Sequence, residues 1–141
     1  FLSVDPAITT PLASDGTRLP GAPEHSANLT LNYTRALTGD MNWTTRVDGY
    51  YQSSSENSIS PSARFAETLD SFQLWNLTTG VTTASWDVSL FAKNLFNEDG
   101  VTGVYKEEYM GTDPDQGYFG NGAKDVISLP RTIGLAATYR F

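Results

Sequence analysis

Apolar and polar residues alternate along five runs of this chain, and only an extended strand sends every second side chain to one face. From Ser26 to Ala36, the residues Ala27, Leu29, Leu31 and Tyr33 alternate with Asn28, Thr30, Asn32 and Thr34. The next run sets Met41, Trp43, Thr45, Val47, Gly49 and Tyr51 against Asn42, Thr44, Arg46, Asp48, Tyr50 and Gln52. A third, from about Leu69 to Val81, places Trp75, Leu77, Thr79 and Val81 on one parity. Phe72 and Leu74 fall on the other, so either a bulge interrupts this run or those two side chains point the opposite way. The fourth sets Trp86, Val88, Leu90 and Ala92 against Asp87, Ser89 and Lys93, with Phe91 out of pattern. The last sets Ile133, Leu135, Ala137, Tyr139 and Phe141 against Thr132, Gly134, Ala136, Thr138 and Arg140. Helical spacing is sustained nowhere, so the class is all-β.

The breaks alternate in length. Leu37-Thr38-Gly39-Asp40 and Thr82-Thr83-Ala84-Ser85 are tight turns. The opening to about Glu24, the Ser-rich stretch Ser53–Arg64 with Pro61, and the acidic, Gly-rich stretch Asn97–Ser128 are long. An antiparallel up-and-down meander with tight turns at one end and long connections at the other is the pattern of an outer-membrane β-barrel. Soluble sandwiches more often mix hairpins with Greek-key crossings. With 141 residues there is room for one domain. The net charge of −7 argues against a nucleic-acid partner, whose phosphates require clustered Lys and Arg. Cysteine is absent, which removes disulfides, thiolate metal sites and a cysteine nucleophile. No stretch approaches the ~18 consecutive apolar residues of a membrane helix, whereas a membrane barrel averages to a polar-looking chain. Phe1 to Asp15 lacks the basic start and apolar run of a signal peptide, so the chain reads as a mature protein or a fragment of one.

Aromatic positions sharpen the membrane reading. Tyr33, Trp43, Trp86, Tyr139 and Phe141 all share the apolar parity and fall near the tight-turn end of their runs, as an interfacial girdle requires. Tyr51 and Phe96 fall on that parity at the other end. The apolar parity carries no charge within these runs on this reading, and the polar parity suits a solvated lumen. Leu31, Val47, Leu90 and Leu135 are then expected against lipid, and Thr30, Arg46, Ser89 and Thr138 against the lumen.

Three blocks carry a family resemblance. Pro130-Arg131-Thr132-Ile133-Gly134, with alternation ending Tyr139-Arg140-Phe141, resembles the terminal strand of TonB-dependent outer-membrane receptors. Leu90-Phe91-Ala92-Lys93-Asn94-Leu95-Phe96-Asn97 resembles that family's penultimate strand, where an Asn-Leu-Phe triplet enters the last extracellular loop. Leu19-Pro20-Gly21-Ala22-Pro23-Glu24-His25-Ser26-Ala27-Asn28-Leu29 resembles its entry into a descending strand. The resemblance implies a transmembrane barrel of about 22 strands around an N-terminal plug, of which residues 1–141 would supply the last five strands, without the plug. Residues 1–25 would be an extracellular loop and strand entrance, and 26–141 five strands with two long extracellular loops. It further implies active transport of a scarce nutrient, a ferric siderophore first, in the outer membrane of a Gram-negative bacterium. The implied partners are the rest of the barrel and plug, the TonB complex through that plug, the barrel-assembly machinery and outer-membrane lipid. Ile133, Leu135, Ala137, Tyr139 and Phe141 would form the assembly signal.

In the long stretch Asn97–Ser128, Tyr105, Tyr109, Tyr118 and Phe119 are the candidate ligand contacts. Other constellations carry less. His25 is the only histidine, which suits neither a catalytic triad nor a metal site. Asp113-Pro114-Asp115-Gln116-Gly117 has its glycine one position early for an EF-hand and lacks the later glutamate. Gly117, Gly120 and Gly122 are not followed by the Lys-Ser or Lys-Thr of a phosphate loop. The sequons at Asn28, Asn32, Asn42 and Asn76 follow from polar alternation inside strands, and Glu107-Glu108 are adjacent and point apart. Nothing supports an enzyme or a cofactor. The alternative function is a secreted β-sandwich binding carbohydrate through Trp43, Trp75 or Trp86.

Overall fold

The computed structural model describes residues 16–61, 66–106 and 123–141. Among them the regular structure is all strand. Five strands form one antiparallel sheet in sequence order: β1 (Ser26–Ala36), β2 (Asn42–Gln52), β5 (Phe72–Thr82), β6 (Trp86–Lys93) and β9 (Thr132–Tyr139). Two ribbons grow from the long connections, β3 (Ser55–Glu56) with β4 (Thr68–Leu69) and β7 (Val101–Lys106) with β8 (Ala123–Ile127). The second ribbon lies inside the stretch Asn97–Ser128 that reads as loop, because its bulge between Val101 and Gly103 breaks the alternation.

The tight turns are locked together. Gly39 takes a φ of +69°, and the Leu37 N–H donates to the Met41 carbonyl at 2.8 Å. The Asp40 carboxylate accepts the Ala84 N–H at 2.9 Å, joining the first turn to the second.

Register aligns the separate stripes into one face. Leu31 pairs with Val47, Val47 with Leu77, Leu77 with Ala92 and Ala92 with Ile133, all directly opposite one another. One row along, Thr79 pairs with Leu90 and Leu90 with Leu135. Two close approaches fix this alignment. A Cβ on Gly49 would lie 2.7 Å from the Trp75 ring on the apolar face, and one on Gly134 would collide with the Phe91 ring on the polar face. Each glycine leaves room for the cross-strand aromatic opposite it.

The pairing of β2 with β5 runs without a shift from Gln52 opposite Phe72 to Asn42 opposite Thr82. There is no bulge, so Phe72 and Leu74 join the polar face, as Phe91 does. One expectation is corrected here. Arg35 lies on the apolar parity, opposite Trp43 at the tight-turn end beyond Tyr33. At that edge a long cationic side chain reaches polar surroundings while its stem covers apolar surface.

Buried apolar side chains are few among the described residues: Leu69 and Phe72. They sit where the two ribbons meet, and a Cβ on Gly100 would come within 2.5 Å of the Phe72 ring. The apolar face of the main sheet has no layer over it among the described residues, and Leu31, Leu90 and Leu135 are 56%, 50% and 70% exposed. A sandwich would bury that face under a second sheet. The carbohydrate-binding sandwich is therefore not the architecture observed.

Candidate functional site

The two faces of the sheet have different chemistry, and several polar side chains on each are hydrogen-bonded to one another. On the apolar face the Trp43 indole N–H donates to Thr79 Oγ1 at 2.9 Å, and the Thr45 and Thr79 hydroxyls share a hydrogen bond at 2.8 Å. The Trp75 indole N–H donates to Gln73 Oε1 at 3.2 Å. Pairing of this kind lowers the cost of placing polar atoms on an apolar surface.

Aromatic rings crowd the tight-turn end of this face. Tyr33 meets Trp43 edge-on at 5.6 Å between centroids. Trp86 and Tyr139 lie 4.7 Å apart, and Phe141 meets Tyr139 edge-on at 5.1 Å. Cross-strand register brings Trp86 opposite Tyr139, so the terminal residues Ile133, Leu135, Ala137, Tyr139 and Phe141 extend the same surface. Tyr51 lies at the other end, opposite Ala27 and Gln73. Phe96 is past the end of β6 and 66% exposed, where strand parity no longer applies.

Apart from Arg35, the charged residues of the main-sheet strands lie on the polar face. Arg46 pairs with Asp48 at 2.8 Å, and Thr30 donates to the same carboxylate at 2.8 Å from the neighbouring strand. Near the tight turns Arg140 lies 3.8 Å from Asp87. Toward the long connections the face becomes mixed: Tyr50 packs against Phe72 at 6.1 Å, and the Tyr50 hydroxyl donates to Gln52 Oε1 at 2.8 Å. A cavity of about 430 Å³ opens there, walled by Tyr50, Phe72 and Leu74 and bordered by Asn76, Lys93 and Thr132.

Asn94 builds the far wall. Its φ of +48° ends β6, and asparagine tolerates that conformation better than most residues. Its side-chain amide donates to the Glu98 and Leu129 carbonyls at 2.9 and 2.8 Å, and its Oδ1 accepts the Glu98 N–H at 2.8 Å. Asn97, at φ +56°, accepts the Arg131 N–H at 2.9 Å. Ser128 donates to the Glu98 carbonyl and accepts the Gly100 N–H at 3.0 Å. Together these bonds fasten the β7–β8 ribbon to the rim of the sheet.

The sequence-predicted contacts fare unevenly. Tyr105 is in β7, opposite Lys124 and half exposed, and it does not line the cavity. Tyr109, Tyr118 and Phe119 lie outside the described residues, as does the calcium-like stretch at Asp113. His25 uses its backbone, donating to Ser53 Oγ at 3.0 Å. In the sequence the cavity was signalled by Phe72 and Leu74, apolar residues on the polar parity.

Comparison with known proteins gives one family match. Residues 3–95, well over half of the chain, match the family described as TonB dependent receptor-like, beta-barrel. No curated protein and no solved structure matches.

Proposed function

Because the chain belongs to the TonB-dependent receptor-like β-barrel family, we propose that it supplies five consecutive wall strands of a barrel that imports ferric siderophores. The family's proteins are transporters of the Gram-negative outer membrane, driven through TonB, and are not enzymes. On this reading the apolar face meets lipid and the polar face lines the lumen. The tight turns are periplasmic and the long connections extracellular. A plug fills the lumen and relays TonB, and the assembly machinery reads the strand that ends at Phe141.

One observation carries this reading: among the described residues the main sheet is a single layer with a continuous apolar face, an aromatic border and no partner strand at its β1 and β9 edges. In hydrocarbon each unsatisfied N–H or C=O costs several kcal/mol, so those edges require further strands until the barrel closes. Uptake of radiolabelled iron, supplied as a ferric siderophore to cells with and without the gene and with and without TonB, tests it. Uptake that requires both supports the reading. Unchanged uptake without the gene refutes the siderophore assignment, and a growth defect on a vitamin or oligosaccharide would transfer the function to that nutrient.

A further inference from the structure

The cavity over the polar face is lopsided in charge, with Lys93 and no carboxylate among the described residues that line it. The Asn76 side-chain oxygen is taken by the Asn94 N–H at 3.0 Å, which leaves its amide N–H₂ as the uncommitted end. Lys93 lies near the Phe91 ring, 5.9 Å from its centroid, and has no ion-pair partner among the described residues. Asp48, which with Lys93 borders an adjoining cavity of about 370 Å³, is already held by Arg46 and Thr30. The lining thus offers the Asn76 amide N–H₂ and one positive charge, with no carboxylate among the described residues, beside apolar walls at Tyr50, Phe72 and Leu74. Its volume of about 430 Å³ is that of a small-molecule site.

We infer that this cavity holds an amphiphilic anion, with one carboxylate or comparable group against Lys93 and Asn76 and an apolar or aromatic body against Tyr50, Phe72 and Leu74. The inference rests on the lumenal assignment of the polar face and deepens it by naming the ligand chemistry. A neutral isostere of the same shape keeps the apolar contact and loses the charge. Because Lys93 is solvent-exposed, the charge preference is modest, about fivefold for an exposed pair.

The test uses the complete barrel containing this chain, in detergent, with 6-fluoro-2-naphthoate and its neutral carboxamide as fluorine-NMR probes. The naphthoate is expected to bind about fivefold tighter than the carboxamide. Lys93→Met should equalise the two, and Lys93→Arg should restore the preference. Equal binding of both probes to the wild type overturns the inference, as does a preference that survives Lys93→Met or failure of both probes to bind. TonB-dependent uptake measured on the same wild-type protein separates the two readings. Normal uptake without a charge preference removes only the anion site, whereas absent uptake removes the receptor assignment itself.

Discussion

Replacing Leu90 by arginine distinguishes a lipid-facing sheet from every soluble alternative. Leu90 is four residues along β6 from Trp86, which marks the aromatic border. At ~3.4 Å per residue that is about 14 Å along the strand. A strand tilt of about 40° reduces this to about 10 Å along the membrane normal, close to the middle of an apolar band ~25 Å tall. Leu135 is its direct partner and sits at the same depth, whereas Val88 lies only about half as far above the border. Arginine at the midplane costs about 2–4 kcal/mol and less toward the interface. That corresponds to roughly a 30- to 700-fold loss in the folding equilibrium. Ser89, between Val88 and Leu90, faces the other way and should tolerate arginine within about 0.5 kcal/mol. The assay is urea unfolding of the complete barrel in lipid vesicles, read as the heat-modifiable band on gels. The expected order of destabilisation is Leu90→Arg and Leu135→Arg largest, Val88→Arg smaller, and Ser89→Arg near zero. Equal sensitivity at Ser89 and Leu90 would refute the two-faced, membrane-spanning sheet.

Three other outcomes are expected. Asn94→Ala removes three side-chain hydrogen bonds at the rim and should destabilise the β7–β8 ribbon by about 1–3 kcal/mol; hydrogen exchange should speed up in that ribbon and stay slow in β5 and β6, and uniform loss of protection would contradict a local clamp. Deleting Phe141 removes the outermost ring of the Tyr139 pair and should lower the amount of assembled barrel without changing ligand affinity; normal assembly, measured by surface labelling, would leave Phe141 as an interfacial anchor only. Protease added to intact cells should cut within Asn97–Ser128 and spare the turns at Gly39 and Ala84; the reverse pattern would invert the topology.

The sequence alone determined the class, the five long strands, the two tight turns and the chemistry of each face. These are local properties, because backbone geometry sends neighbouring side chains to opposite faces and a turn is written in a few adjacent residues. Tyr33, Trp43, Trp86 and Tyr139 could thus be placed on one border before any pairing was known. Only the tertiary structure decided what depends on register. Alternation left Phe72 and Leu74 with two readings, and the unshifted pairing with β2 chose the polar face. It also decided that Trp75 covers Gly49 and Phe91 covers Gly134, contacts between segments far apart in the chain. The β7–β8 ribbon was hidden because a bulge between Val101 and Gly103 breaks its alternation, and its base is held by Asn94, Asn97 and Ser128 through bonds between segments apart in the chain. The cavity followed from both, because its walls come from β2, β5 and the segment before β9, and no local pattern records how near those segments lie.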